Sequence, residues 1–211
     1  MRQVRFLTFC VMSFLLSACN DLSLNNEPDS ESQGILSLEL SVDSGETVTR
    51  GDASGNDASL DLDKFWVEIY KKVSDGMDSG IRVYRKQYSE AKQGGIPLNE
   101  GDYYLRAKLG DSLGVGFNKP FYMAEEEFTI RPQDYEDLSA CAYLSNVKVS
   151  VNFGDNFKEY YPDYYVRVKH TDPKIKSTLK FKKDETRSGY IHHGAIVLEV
   201  CADFKGTGDW R

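Results

Sequence analysis

The chain has 211 residues, of which 40% are hydrophobic, 12% aromatic and 28% charged, with six prolines. That is the composition of a folded protein and excludes a disordered or collagen-like chain. Thirty-three acidic residues against 26 basic ones give a formal charge of −7, which excludes general nucleic-acid binding, because that requires a basic surface to displace phosphate counterions. Four cysteines are too few for a disulfide-built miniprotein.

Arg2 and Arg5 precede an apolar run from Phe6 to Leu16. A membrane-spanning helix needs about 20 apolar residues, so this shorter run reads as a secretory signal. It ends in Leu16-Ser17-Ala18-Cys19, which resembles the bacterial lipobox, where the chain is cut before a cysteine that carries diacylglycerol. The expected product begins at Cys19 with 193 residues. Several acyl chains, at about 0.8 kcal/mol per buried CH₂, make a lasting membrane tether, with an outer-membrane location as the expectation. Residues 19–33 follow as an acidic flexible tether carrying Asp21, Glu27, Asp29 and Glu31 and no basic residue.

Leu36, Leu38, Leu40 and Val42 alternate with Ser37, Glu39 and Ser41, the period-two pattern of a strand with one buried face. Asp43 to Leu60 is rich in Gly, Ser, Asp and Asn and reads as an exposed loop. Alternation returns in Phe65-Val67-Ile69, Ile81-Val83, Tyr103-Leu105-Ala107-Leu109 and Phe128-Ile130. A second series comprises Val147-Val149-Val151-Phe153, Tyr164-Val166-Val168, Leu179-Phe181 and Ile196-Leu198-Val200. No apolar 3.6 period holds for three turns, so the expected fold is an all-β, antiparallel β-sandwich. Two units are expected, residues 34–140 and a shorter one, residues 141–211. The second is short for a closed sandwich, which implies an open edge or an architecture that expects more chain. An open edge invites strand addition, and hence a homo- or hetero-oligomer.

Cys10 leaves with the signal and Cys19 is taken by lipid, so Cys141 and Cys201 remain. Export permits a bridge between them, worth about 4 kcal/mol in the chain-entropy model. Their apolar neighbours favour two buried free thiols instead.

The ordered series Gly34-Ile-Leu-Ser-Leu-Glu-Leu, Arg50, Asp63-Lys-Phe-Trp-Val-Glu-Ile-Tyr, Ile96-Pro-Leu-Asn-Glu-Gly-Asp-Tyr-Tyr-Leu-Arg-Ala, Pro120-Phe-Tyr and Asn146-Val-Lys-Val-Ser-Val resembles a lipoprotein family of Bacteroidetes, domain of unknown function 4493. Leu98 to Leu105 is also similar to the turn-and-strand of transthyretin-like sandwiches, which implies a tight turn at Gly101 and a core tyrosine after it. More distantly, the lipobox, first strand, loop arginine and two β units are similar to the fimbrillins of Bacteroidetes pili. There, proteolysis after an arginine removes the first strand, and a neighbour's strand fills the groove. That resemblance implies a maturation cut after Arg50; the plainer reading is one exposed loop arginine among many.

No cofactor or metal is expected. The cysteines form no CxxC, and adjacent His192 and His193 point to opposite faces of a strand. Asp52 to Asp63 has a calcium-loop rhythm but carries Asp57 where the turn needs glycine, so an acidic solvated loop is the better reading. No nucleophile elbow or phosphate-cradling loop is present, Glu125-Glu126-Glu127 has no partner in sequence, and no enzyme activity is expected.

Glu125 to Asp137 holds six acidic residues and one basic, whereas Arg167 to Arg187 holds eight basic and three acidic. Such patches could steer head-to-tail contacts, though unrelated solvated strand faces explain them more simply. Tyr160, Tyr161 and Tyr165 form a candidate binding platform, weighed against ordinary strand packing, which is favoured. The leading expectation is a surface structural or adhesive, fimbrillin-like protein; the rival is a lipoprotein that binds glycan or another cell-surface component.

Overall fold

The computed structural model describes residues 32–43, 60–73 and 80–206. The signal, Cys19, nearly all of the tether, Arg50 and most of the Asp52–Asp63 loop lie outside them.

The first body contains β1 (Gln33–Asp43), β2 (Trp66–Lys72), β3 (Gly80–Gln87), the short helix α1 (Tyr88–Ala91), β4 (Ile96–Asn99), β5 (Gly101–Leu109), β7 (Tyr122–Ile130) and β8 (Tyr135–Leu144). Its seven strands run in the order β3-β2-β5-β7-β8-β1-β4. Among the described residues, the β7–β8 ladder is limited to Tyr122–Leu144 and Met123–Tyr143. The sheet turns a corner there and folds β3-β2-β5-β7 over β8-β1-β4. The alternating residues of both layers meet in one core, with Leu36, Leu38 and Leu40 from β1, Val67 and Ile69 from β2, Leu105 from β5, Phe128 and Ile130 from β7, and Ala140 and Ala142 from β8. The fold is an all-β sandwich.

One pairing departs from the antiparallel expectation. β1 runs parallel to β8, in register from Ile35–Tyr135 to Asp43–Tyr143, and antiparallel to β4 from Gln33–Asn99 to Leu36–Ile96. No hairpin joins β1 to β8, so turn geometry imposes no direction, and the intervening strands supply the long crossover a parallel pair needs. At the first residue of β5, Gly101 takes φ +143, and the Tyr103 ring enters the core, stacked 5.5 Å from Phe128, with its hydroxyl donating to the Asn99 carbonyl at 2.6 Å.

The second body adds β9 (Val147–Val149), the helix α2 (Asp155–Tyr160), β10 (Asp163–His170), β11 (Thr178–Lys182), β12 (Gly189–Ile191) and β13 (Ile196–Asp203). One sheet runs β11-β10-β13; the other runs β6-β12-β9, where β6 (Gly116–Phe117) comes from the β5–β7 connection. Their facing residues Val149, Val166, Val168, Leu179, Phe181 and Ile191 make a separate core. Gly189 is needed where β12 passes over β11, since a Cβ there would lie 2.1 Å from Leu179 and 2.7 Å from Phe181. The strand expected over Val147–Phe153 stops at Val149, and Phe153 turns instead to stack on Phe157 of α2 at 5.3 Å.

Candidate functional site

The first strand is flanked on both sides. β8 pairs with it from Ile35 to its end at Asp43, whereas β4 covers it only as far as Leu36. Beyond that point Tyr88 of α1 takes over part of the exposed edge: the Leu40 N–H donates to its hydroxyl at 3.0 Å, and the hydroxyl reaches the Leu38 carbonyl at 3.5 Å. Leu36, Leu38 and Leu40 are 0%, 7% and 4% exposed, so the strand upstream of Arg50 is a core element.

Among the described residues, β13 ends its sheet and no strand pairs with its outer edge. Leu198 and Val200 pair with Val168 and Val166 and therefore share their face of the sheet. Val168 and Val166 are 0% and 2% exposed, yet Leu198 and Val200 are 54% and 52% exposed. Apolar side chains on the core-facing side of an edge strand are thus left uncovered.

The three candidate tyrosines do not form one platform. Tyr161 stacks on Phe157 at 4.6 Å and meets Phe204 edge-on at 5.8 Å, and Phe157 also touches Tyr164 at 5.3 Å. Tyr160 is exposed beside the Lys205 ammonium, 5.4 Å from its ring. Tyr165 follows Tyr164 on β10 and so faces the opposite side of the sheet, where the Lys180 ammonium lies 3.7 Å from its ring and Arg167 donates to its hydroxyl at 3.3 Å. A hollow of about 690 Å³ opens there, lined by Asp163, Tyr164, Tyr165, Lys180, Lys182, Lys183, Asp184 and Glu185. The hydrogen bond from Arg187 outweighs desolvation and holds the Glu185 carboxyl down at about 2.

Cys141 and Cys201 are free thiols, the reading their apolar neighbours favour over a bridge, and both are partly rather than fully buried. They stand on β8 of the large sheet and on β13 of the second body, strands that share no ladder. The adjacent thiols of Cys141 and Cys201 push the phenol pKa values of Tyr143 and Tyr165 above the ordinary one.

A cluster that sequence reading passed over lies on the outer face of the large sheet. Glu68 sits at a position that alternation marks as outward, yet it is 2% exposed. Its carboxylate accepts from Lys108 Nζ at 2.7 Å, Arg85 Nε at 3.1 Å, Arg82 Nη1 at 3.4 Å and the Tyr70 hydroxyl at 3.1 Å. β2 supplies the acid, while β3 and β5, paired to either side of it, supply the cations through Glu68–Arg85 and the neighbouring registers. The only signal in the sequence is Arg82 and Arg85 on one strand and Lys108 on another, and spacing alone does not bring them together. On the same face Tyr70 stacks on Tyr104 at 4.8 Å, and the Arg85 guanidinium lies 4.2 Å from the Trp66 ring centre.

Two solved structures from Bacteroides thetaiotaomicron are similar to this chain. One, described as a candidate adhesin, is 9% identical with a TM-score of 0.46, covering 85% of this chain and 78% of its own. The other, described among candidate polysaccharide-binding proteins, is 12% identical with a TM-score of 0.44, covering 83% of this chain and 78% of its own. A comparison with curated proteins finds no match. The family described as Domain of unknown function (DUF4493) matches residues 32–210, a span that includes both cores, and the chain belongs to that family.

Proposed function

We propose that the protein is a lipid-anchored, non-enzymatic outer-membrane subunit with a structural or adhesive role, and that it joins a neighbouring chain by strand addition at β13. The observation that carries this reading is the pair Leu198 and Val200, more than half exposed on the side of β13 that faces the core. A strand laid beside β13 would satisfy its outer N–H and C=O groups and cover both side chains. The anchor rests on Cys19 in its lipobox-like setting. The position of β1 supports a fimbrillin-like route as well: a cut after Arg50 would detach a strand that lies between β8 and β4 and leave a groove in the first core. Leu198→Lys with Val200→Lys places charges on the edge and should abolish concentration-dependent association of the uncut protein in sedimentation, whereas association that appears only after mild arginine-specific proteolysis runs through the first-core groove. A wild-type protein that remains monomeric in both conditions would overturn the proposal.

The hollow beside Tyr165 favours a second reading, display of a glycan-binding surface. Its lysines can donate to sugar hydroxyls, its carboxylates can accept from them, and the tyrosine ring offers a face for pyranose C–H groups. Tyr165→Ala and Lys180→Ala should each remove glycan-array signals, and Tyr160→Ala should not. Signals indifferent to Tyr165 would remove support for this site.

A further inference from the structure

Glu68 is surrounded by more positive charge than its own neutralisation needs. One carboxylate contacts three cations, Lys108, Arg85 and Arg82, leaving a formal excess of two positive charges at the outer face of the large sheet. The next carboxylates on that face have cations of their own, Glu125 with Arg106 and Glu127 with Lys72 at 2.9 Å. The excess is therefore local, among the described residues, to the junction of β2, β3 and β5. Glu68 also holds these cations in place. Arg82 gives it one N–H through Nη1 and Arg85 one through Nε, and their side chains remain 51% and 47% exposed. A guanidinium has five N–H donors in a planar fork, so each arginine has donors beyond the one spent on Glu68. Beside them stands Trp66, 38% exposed, with Arg85 stacked over its ring.

We propose that this face binds an anionic saccharide, with uronate carboxylates or sulfate esters held by Arg82, Arg85 and Lys108 and a sugar ring set against Trp66. Fixed guanidinium forks match the two-oxygen geometry of carboxylate and sulfate, and fixing them beforehand lowers the ordering cost of binding. The magnitude of the excess charge favours a saccharide over nucleic acid. Duplex DNA carries one charge per about 1.7 Å of axis, and neutralising a useful length takes a wide basic surface. An excess of two charges on a protein of net charge −7 suits the sparser charge of an acidic sugar chain. The site lies on a different body from β13 and the Tyr165 hollow, so it stands or falls independently of both.

The test is binding of the full protein to immobilised polygalacturonate, dextran sulfate, neutral dextran and duplex DNA at low and high salt. Retention on one or both acidic polysaccharides, weakening as salt rises, and none on neutral dextran is the expected result. Polygalacturonate alone would identify the anion as a uronate, dextran sulfate alone as a sulfate ester, and both would define the class by charge. Arg82→Ala with Arg85→Ala should lower affinity about tenfold or more. Trp66→Ala should weaken binding without changing its salt dependence, and Lys180→Ala in the other body should leave it unchanged. Arg85→Lys keeps the charge but loses the fork, so it decides the matter if the double variant fails to fold: affinity should drop severalfold with an unchanged thermal midpoint. The proposal is overturned by binding to neither acidic polysaccharide, by equal binding to dextran or DNA, or by wild-type affinity in folded arginine variants.

Discussion

Glu68 contributes to stability in a pH-dependent way. Burial pushes its carboxyl up, but hydrogen bonds from Lys108 and Tyr70 and the charges of Lys108 and Arg82 outweigh burial and hold it below the ordinary carboxylate value. A folded-state pKa below the unfolded one means stabilisation that is present above the unfolded value, near 4.5, and lost as pH falls through the folded one. Stranding a charge in the interior costs about 3–5 kcal/mol, but the three cations here are 51%, 47% and 36% exposed and regain water when the acid is removed. Glu68→Gln should therefore cost only about 1–2 kcal/mol at pH 7 in denaturant unfolding, within the range between exposed and buried pairs. The difference from wild type should shrink below the folded pKa; one that stays constant with pH would refute the linkage. Alternation assigns Glu68 an outward direction but says nothing of what covers it, because its cationic partners stand 14 to 40 residues away on other strands.

At the scale of elements, sequence alternation located β1, β2, β5, β10 and β11 because their buried side chains are large. It passed over β8, placing a unit boundary after residue 140 inside that strand. The reason is chemical: β8 buries Ala140 and Ala142, whose small side chains give a weak alternation signal. It also read Ile81 and Val83 as one more apolar pattern, yet they are 64% and 47% exposed on β3, at the sheet's edge. Among the described residues, the edge of β1 beyond Leu36 is held by the Tyr88 hydroxyl. Tyr88→Phe keeps the ring but leaves the Leu40 N–H and the Leu38 carbonyl without it, in a buried setting. The expected loss is about 1–3 kcal/mol, with faster hydrogen exchange at the Leu40 amide. Unchanged stability and exchange would show that water serves that edge equally well.

The two bodies are stitched together by the chain between β5 and β7. Asn146 accepts from the Phe121 N–H at 3.2 Å and donates to the Lys119 carbonyl at 2.9 Å, while the Ser145 N–H donates to the Phe121 carbonyl at 2.7 Å. Just upstream, Phe117 of β6 meets Phe181 of the second core edge-on at 5.1 Å. Removing the amide in Asn146→Ala leaves the buried Phe121 N–H unpaired and should cost about 1–3 kcal/mol. Calorimetry should then resolve two transitions, one per core, where wild type is expected to show one; a single cooperative transition in the variant would show that the Asn146 amide is not what couples the bodies. The sequence by itself determined that this chain is all-β and that β1, β2, β5, β10 and β11 each bury one face, because period-two alternation is local and a strand with large buried side chains carries its own record of it. Tertiary structure decided the parallel β1–β8 pairing, the cations gathered on Glu68, and the exposure of Leu198 and Val200 beside buried Val168 and Val166. Those outcomes depend on which strands become neighbours. Neighbours are chosen by the collective packing of residues far apart in the chain, and a single strand's pattern does not encode that choice.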